Sequence, residues 1–211
     1  AEVLARGWAP GEPDAAALIG AALILCADHE LNVSAFTARC VASSGATPYA
    51  AVTAGLAALG GTRHGGQTEL VEALLREVGD GAAARSVLAS RLRRGEPIPG
   101  FGHSLYPEGD PRGRELLRLA AGARPHSSDV VLSRAVSEAA RELIGELPNL
   151  DLGLVTLARV LGLPPGAPLA IFALGRTIGW IGHAIEQYED GSLIRPRARY
   201  TGEQPPRDTD V

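Results

Sequence analysis

The chain has little that would carry it outside the ordinary globular class. Only two of its 211 residues are cysteine. Cys26 and Cys40 cannot build a disulfide framework, and no paired Cys/His spacing marks a zinc or other metal site. Both read as small core residues. Positive charge is not in excess either: a formal net charge of −4 argues against a nucleic-acid footprint over the whole chain, leaving "RLRRG" and "RPRAR" as local features. The longest apolar run, residues 15–27, sits between Asp14 and Asp28 and falls short of the ~20 residues that span a bilayer. No basic segment followed by an apolar stretch and a cleavage site opens the sequence. A cytoplasmic location without membrane contact is the expectation. HExxH, P-loop, GxSxG and GxGxxG motifs are missing, which excludes the usual zinc-protease, nucleotide and nucleophile signatures.

Period-two alternation is nearly missing as well, and Val and Ile fall within Ala/Leu-rich stretches that favour helix, so the fold class is all-α. With 45% hydrophobic residues the chain can bury one good core or two modest ones. Residues 15–27 carry Leu18, Ala22 and Leu25 on one face and Ile19, Leu23 and Cys26 on the next, a pattern of a buried helix. In "TPYAAVTAGLAALGG", Thr47 caps, Pro48 fits the first helical position, and Gly60 is expected to end the helix in the left-handed region. Leu132, Val136, Ala139 and Leu143 keep helical spacing while Arg134, Glu138 and Arg141 fall elsewhere on the wheel. A last helical pattern, residues 168–188, contains Gly175, Gly179 and Gly182, which belong where another helix packs very closely. The polar, proline-containing tail "TGEQPPRDTDV" reads as disordered.

Three short stretches carry candidate chemistry. In "PGFGHSLYPEGDPR" (99–112), Gly100 and Gly102 permit positive φ or close approach to a ligand and set His103 on a shaped loop. Asp110 then reads as an N-cap, Pro111 as the first helical residue and Arg112 as the second. Helix amides and a guanidinium facing one space suit a carboxylate or phosphate. The same residues read equally as a capped helix with an exposed arginine. In "GGTRHGGQTE", His64 lies between glycine pairs before another helix and can act as general acid on a carbonyl oxygen, or simply stabilise the turn. In "ADHELNVSAFTAR", consecutive Asp28, His29 and Glu30 point apart on a helix and resemble a metal cluster only superficially.

Taken together and in order, "ADHELNVSAFTARCVAS" (27–43), "ALGGTRHGGQTE" (58–69), "IPGFGHSLYPEGDPR" (98–112), "PNLDL" (148–152), "ALGRTIGWIGHAIEQ" (173–187) and "LIRPRARYTG" (193–202) resemble the C-terminal part of the citrate synthase family. The resemblance implies a tricarboxylic acid cycle transferase that joins the acetyl group of acetyl-CoA to oxaloacetate and hydrolyses the thioester, with acetyl-CoA as substrate and no cofactor. Asp151 would take a proton from the thioester methyl, His64 would hydrogen-bond the thioester oxygen, and His103 would polarise the oxaloacetate carbonyl. His29, His103, Arg112 and Arg176 would bind oxaloacetate, with Arg195 donated into a neighbouring subunit's site, which implies a homodimer. Pro99, Gly100, Phe101 and Gly102 would approach CoA. The implied architecture is a large helical domain, incomplete at its N-terminus, from residues 1–64 and 165–211, and a small helical domain from 65–164.

The match covers roughly the C-terminal half of an ordinary member, so the chain is expected to be a fragment, or one half of a split enzyme whose partner chain supplies the missing helices, and to expose an apolar face alone. Departures from the family pattern gather on the CoA side. Cys26 stands for a common histidine, Ser104 for Arg or Ala, Pro107 for lysine, "LGLV" follows Asp151, and "HGGQT" replaces "HGGAN". They keep open a 2-methylcitrate synthase using propionyl-CoA, another CoA-dependent acyltransferase or citryl-CoA lyase, and a non-catalytic metabolite sensor.

Overall fold

The computed structural model describes residues 1–203, and the described residues contain helices joined by turns with no strand. They are α1 (Glu2–Trp8), α2 (Ala15–Cys26), α3 (Val33–Ser43), α4 (Pro48–Leu59), α5 (Gln67–Val78), α6 (Ala84–Arg93), α7 (Pro111–Ala123), α8 (Ser128–Ile144), α9 (Leu150–Val160) and α10 (Ala167–Asp190), with one 3₁₀ turn before α6. The all-α expectation therefore holds. The tail reading lies mostly outside the described residues.

Helix starts follow the side chains that can satisfy free amides. Asn32 Oδ1 accepts from the amides of Ser34 and Ala35, Thr47 caps Pro48-led α4, Ser127 caps α8, and Asp110 and Asn149 cap α7 and α9. At Gly60, however, φ is −64°, so α4 ends in ordinary right-handed backbone and not in the expected left-handed turn. The chain continues directly into the tight turn that ends at Gly66, where the Gly66 amide returns to the Gly61 carbonyl.

Two apolar clusters organise these helices. One gathers α1–α4 and α10 around Ile19, Ala35, Ile171 and Trp180; the other gathers α5, α6 and α8 around Val71, Leu88 and Val136. α9 serves both, with Leu154 and Leu157 in the first and Leu152 and Val155 in the second. Each fully buried aliphatic side chain contributes about 1.5–3 kcal/mol, so α9 ties the two halves together.

α10 is long and apolar enough to cross a membrane by length and composition, yet it buries Arg176, Trp180 and Gln187 against the neighbouring helices, as a core helix does. Its glycines explain the closeness. A Cβ on Gly175 would lie 2.6 Å from the Leu23 carbonyl oxygen, and one on Gly179 would lie 2.2 Å from that of Ala27. Gly182 has nothing within 4 Å, so the close-packing expectation fails for that one. α2 is not buried all round: Ile24 is 75% exposed and, with Ile178 at 63%, borders an apolar groove of about 440 Å³ between α1, α2 and α10. Cys26 is buried as expected, but Cys40 is only half-buried, on the outer side of α3.

Gly179→Ala is expected to destabilise the protein by about 1–3 kcal/mol through overpacking, whereas Gly182→Ala is neutral or stabilising by up to about 1 kcal/mol from helix propensity. Urea unfolding of both variants checks this; equal effects would refute the close-contact argument.

Candidate functional site

One cleft of about 200 Å³ is lined by His29, His64, His103, Arg112, Asp151 and Arg176, residues that are far apart in sequence. Asn32, Arg63, Gln67, Asp110, Asn149, Leu150 and Phe172 complete its wall. Four segments meet there: the turn before α3, the turn before α5, the loop leading into α7, and the start of α9. α10 closes the floor.

The loop at 99–103 takes the shape expected of its glycines, with φ of +90° at Gly100 and +73° at Gly102. It is stitched to the segment before α9: the Gly102 amide donates to the Leu147 carbonyl at 2.9 Å and the Asn149 amide to the Gly100 carbonyl at 3.0 Å. Phe101 and Pro148 form an isolated antiparallel bridge. Pro99 and Gly100 are buried by this stitching, while Phe101 and Gly102 stay half-buried; none of the four lines the cleft.

Asp110 is buried and fully engaged. Its Oδ1 accepts from the Arg112 amide and Nε, each at 3.0 Å, and its Oδ2 accepts from Arg112 Nη2 at 2.8 Å and from the Leu150 amide at 3.1 Å. Burial pushes its pKa up, but the Arg112 side chain and these amides outweigh that and hold it below the usual carboxylate range. Arg112 is thus locked in one orientation, its guanidinium 5.7 Å from the Tyr106 ring centroid.

Asp151 occupies the first turn of α9, its amide donating to Asn149 Oδ1 at 3.0 Å. Its own Oδ1 is buried without a hydrogen-bond partner. Burial pushes this carboxyl up to about 7, against the opposing pull of Arg112 and with a push from Asp110. Arg176 is buried on α10, with Nε donating to the Cys26 carbonyl at 2.7 Å and Nη1 left without a partner. Burial also pushes the Cys26 thiol up to about 12, so this cysteine is inert.

The three histidines are held neutral. Burial and then the Arg112 charge lower His29 to about 4; burial and then Arg176 lower His64 to about 4; burial and then Arg112 lower His103. His29 Nε2 lies 2.9 Å from the Tyr106 hydroxyl, and its ring meets that of His103 edge-on at 5.0 Å. The Leu105 amide donates to His103 Nδ1 at 3.2 Å, so the neutral ring carries its proton on Nε2. His64 Nε2 lies 2.8 Å from Ser34 Oγ, which donates to Asn32 Oδ1 at 2.8 Å and accepts from Trp180 Nε1 at 3.1 Å.

Arg195 stands apart, on an exposed, irregular segment after α10, and is not among the residues that line the cleft. Sequence reasoning missed Asn32, Ser34, Asn149 and Tyr106. Asn32 and Asn149 were readable as N-caps two residues ahead of Ser34 and Asp151. Nothing local marks Ser34 or Tyr106, because their partners lie 30 and 77 residues away.

A carboxylate with an orphan oxygen, a guanidinium with an orphan nitrogen and neutral imidazoles converge on one small space. Such a cleft can bind an anion and move a proton at a neighbouring carbon. Comparison with known proteins gives it a family setting. The family model described as "Citrate synthase, C-terminal domain" matches residues 1–197. Citrate synthase 2 of Bacillus subtilis is 38% identical over 184 residues, 86% of this chain and 50% of that protein. Among solved structures, the complex of carboxymethyl coenzyme A and oxaloacetate with citrate synthase from Thermoplasma acidophilum superposes with a TM-score of 0.80 at 29% identity, covering 92% of this chain and 54% of that one. Citryl-CoA lyase from Hydrogenobacter thermophilus also gives 0.80, at 26% identity, covering 93% of this chain and 80% of that one. The chain spans about half the length of the curated relatives it matches.

The Asp151 carboxyl has a folded pKa near 7 against 3.8 for a free side chain, so its contribution favours the folded state most below pH 3.8 and is lost as pH rises through 7. The histidines act oppositely, losing their contribution as pH falls from 6.5 through about 4. Asp151→Asn removes the first effect alone. The wild type minus Asp151→Asn difference in unfolding free energy is expected to fall steadily between pH 4 and 7; a flat difference would refute the raised carboxyl.

Proposed function

Because the chain belongs to the citrate synthase family, we propose that its cleft carries out citrate synthase-type chemistry: condensation of acetyl-CoA with oxaloacetate, then hydrolysis to citrate and CoA. The observation that carries this reading is the pairing of the buried Asp151 carboxyl with neutral His64 and His103 in one cleft with two arginines. Asp151, with a pKa of about 7, is the base that takes a proton from the thioester methyl once it is ionised. A base tuned near the working pH balances availability against proton affinity.

His64 meets the thioester oxygen as the enol forms. The Ser34 hydroxyl has one proton and two acceptors within reach, Asn32 Oδ1 and His64 Nε2. In the structure it donates to Asn32 Oδ1; rotated instead onto Nε2, it would leave the imidazole proton on Nδ1, the nitrogen free to donate to that oxygen. His103, with its proton on Nε2, donates to the oxaloacetate ketone as the enol carbon attacks it. Water then attacks the thioester carbonyl of the joined product, releasing CoA as its thiol. Arg112 and the free Nη1 of Arg176 take the two carboxylates of oxaloacetate, with His29 beside them. Pro99 to Gly102 bring the CoA moiety to the cleft, with Phe101 and Gly102 offering the accessible surface.

The same proposal treats residues 1–64 and 165–211 as part of one domain and 65–164 as the other, so that closure between them excludes water from the enol. It takes the working protein to be a cytoplasmic homodimer in which Arg195, exposed and outside its own cleft, reaches a neighbouring subunit's site. The apolar groove between α1, α2 and α10 is where further helices would cover this chain, from the same chain or a partner.

Citryl-CoA cleavage is the second reading, because the solved citryl-CoA lyase chain superposes with the same TM-score of 0.80 as the synthase chain. Thiol release from acetyl-CoA, with and without oxaloacetate, tests the first reading, and propionyl-CoA in the same assay tests for 2-methylcitrate formation. Oxaloacetate-dependent release is expected, lost by at least 10³-fold in Asp151→Asn while oxaloacetate binding persists, and declining below pH 7. Cleavage of citryl-CoA to acetyl-CoA without hydrolysis would favour the lyase. Oxaloacetate binding with no reaction of any thioester would leave a metabolite sensor.

A further inference from the structure

Three arginines are among the residues that line the cleft, Arg63, Arg112 and Arg176. Two are committed: Arg112 grips Asp110 through Nε and Nη2, and Arg176 is anchored on the Cys26 carbonyl. Arg63 is exposed and, among the described residues, makes no hydrogen bond and no ion pair. It stands immediately before His64, in the turn between α4 and α5. That turn is braced by Gln67, whose Nε2 donates to the Thr62 carbonyl, and by the Gly66 amide on the Gly61 carbonyl. The backbone that carries Arg63 beside His64 is therefore held in place.

The charge inventory of the cleft leaves this group without an answer inside the protein. Asp110 and Asp151 are the carboxyls in the wall. Asp110 is saturated by Arg112 and two helix amides, and among the described residues Asp151 Oδ1 makes no hydrogen bond, to Arg63 or to any other group. A dicarboxylate substrate would use Arg112 and Arg176 and still leave Arg63 unmatched. The space of about 200 Å³ is below the ~300–1,000 Å³ of pockets for drug-sized ligands. It admits a small polycarboxylate and excludes the bulk of a CoA thioester, so an anionic group meeting Arg63 inside the cleft is a carboxylate and not a CoA phosphate.

We propose that Arg63 binds the third carboxylate of a tricarboxylate, the one created when the thioester is hydrolysed beside His64, and so makes the cleft favour the trianionic product over the dianionic substrate. This rests on the condensation reading above. In chemical terms, the acyl carbonyl carbon loses the thiolate, gains a water oxygen, and becomes a carboxylate whose new charge lies on the His64 side. Arg63 is the cation on that side with no acceptor of its own. A charge-assisted contact formed only after hydrolysis holds the product and opposes its release.

The test is calorimetric titration of the folded protein at pH 8 with citrate and with malate, for wild type, Arg63→Ala and Arg63→Lys. Citrate affinity is expected to fall about ten-fold or more in Arg63→Ala, as for loss of a charge-assisted hydrogen bond, and to recover in part in Arg63→Lys, while malate affinity changes less than two-fold. Equal losses for the two ligands would overturn the proposal, because Arg63 would then act only through the general field of the cleft. Unchanged citrate affinity would also overturn it. Binding of neither ligand to wild type that retains its helical circular dichroism would instead refute the polycarboxylate reading of the cleft, and the role of Arg63 with it.

Discussion

The site depends first on one buried carboxylate. Asp110 caps α7 through the Arg112 amide, caps α9 through the Leu150 amide, and holds the Arg112 side chain in a two-pronged pair. Free amides at two helix starts and one guanidinium would be expensive to bury without an acceptor. A single aspartate accepts from one amide at each helix start and from two nitrogens of the guanidinium. The two helices can share it because they cross at glycines: a Cβ on Gly113 would lie 2.2 Å from the Asn149 carbonyl oxygen, and one on Gly153 would lie 3.0 Å from that of Gly113. That crossing sets the separation of Arg112 from Asp151, the cation and the carboxyl on which the proposed chemistry turns.

α10 performs the matching task on the opposite wall. Gly175 and Gly179 let it approach the end of α2 closely enough for Arg176 Nε to reach the Cys26 carbonyl. Trp180, fully buried against Gly55, points its indole N–H at Ser34 and so orients the hydroxyl that faces His64. The floor of the cleft is consequently fixed by backbone contacts before any ligand arrives. Among the described residues, the two buried polar side-chain atoms left without partners are Asp151 Oδ1 and Arg176 Nη1, both in this cleft. Folding has left unsatisfied the atoms that a ligand or a reacting proton would occupy, which is the pattern expected of a preorganised site.

Much of this was legible in the sequence wherever a local rule governed it. The Asp-Pro-Arg start of α7, the Thr47-Pro48 start of α4, the positive φ at Gly100 and Gly102, and the helical stripes of α8 all follow from capping, proline geometry and periodicity. The failures have tertiary causes. Gly60 does not turn left-handed because the following turn takes over the chain reversal, and Ile24 and Ile178 lie open on a groove that no helix among the described residues fills. Asp110 was readable as a cap of its own helix, but its second cap on α9 and its grip on Arg112 depend on a crossing 40 residues further along. The network through Ser34 is invisible for the same reason: it joins residues from three separate helices and turns.

The electrostatic order within the cleft reverses that of the free side chains. In water a carboxyl releases its proton well before an imidazolium does; here Asp151 holds its proton up to about pH 7 while His29 and His64 release theirs near 4. One cause produces both shifts, since burial penalises whichever form is charged, and the buried arginines add to the penalty on the imidazolium while only partly relieving that on the carboxylate. Near pH 7 Asp151 is therefore partly protonated while His29 and His64 are neutral. A carboxylic dianion entering beside Arg112 and Arg176 would cancel the pull of Arg112 on Asp151 and that of both arginines on the histidines, raising all of these pKa values. Binding of such an anion and proton uptake are thus coupled through these guanidiniums, and the protonation states in the cleft are set by the ligand's charge as much as by the protein's.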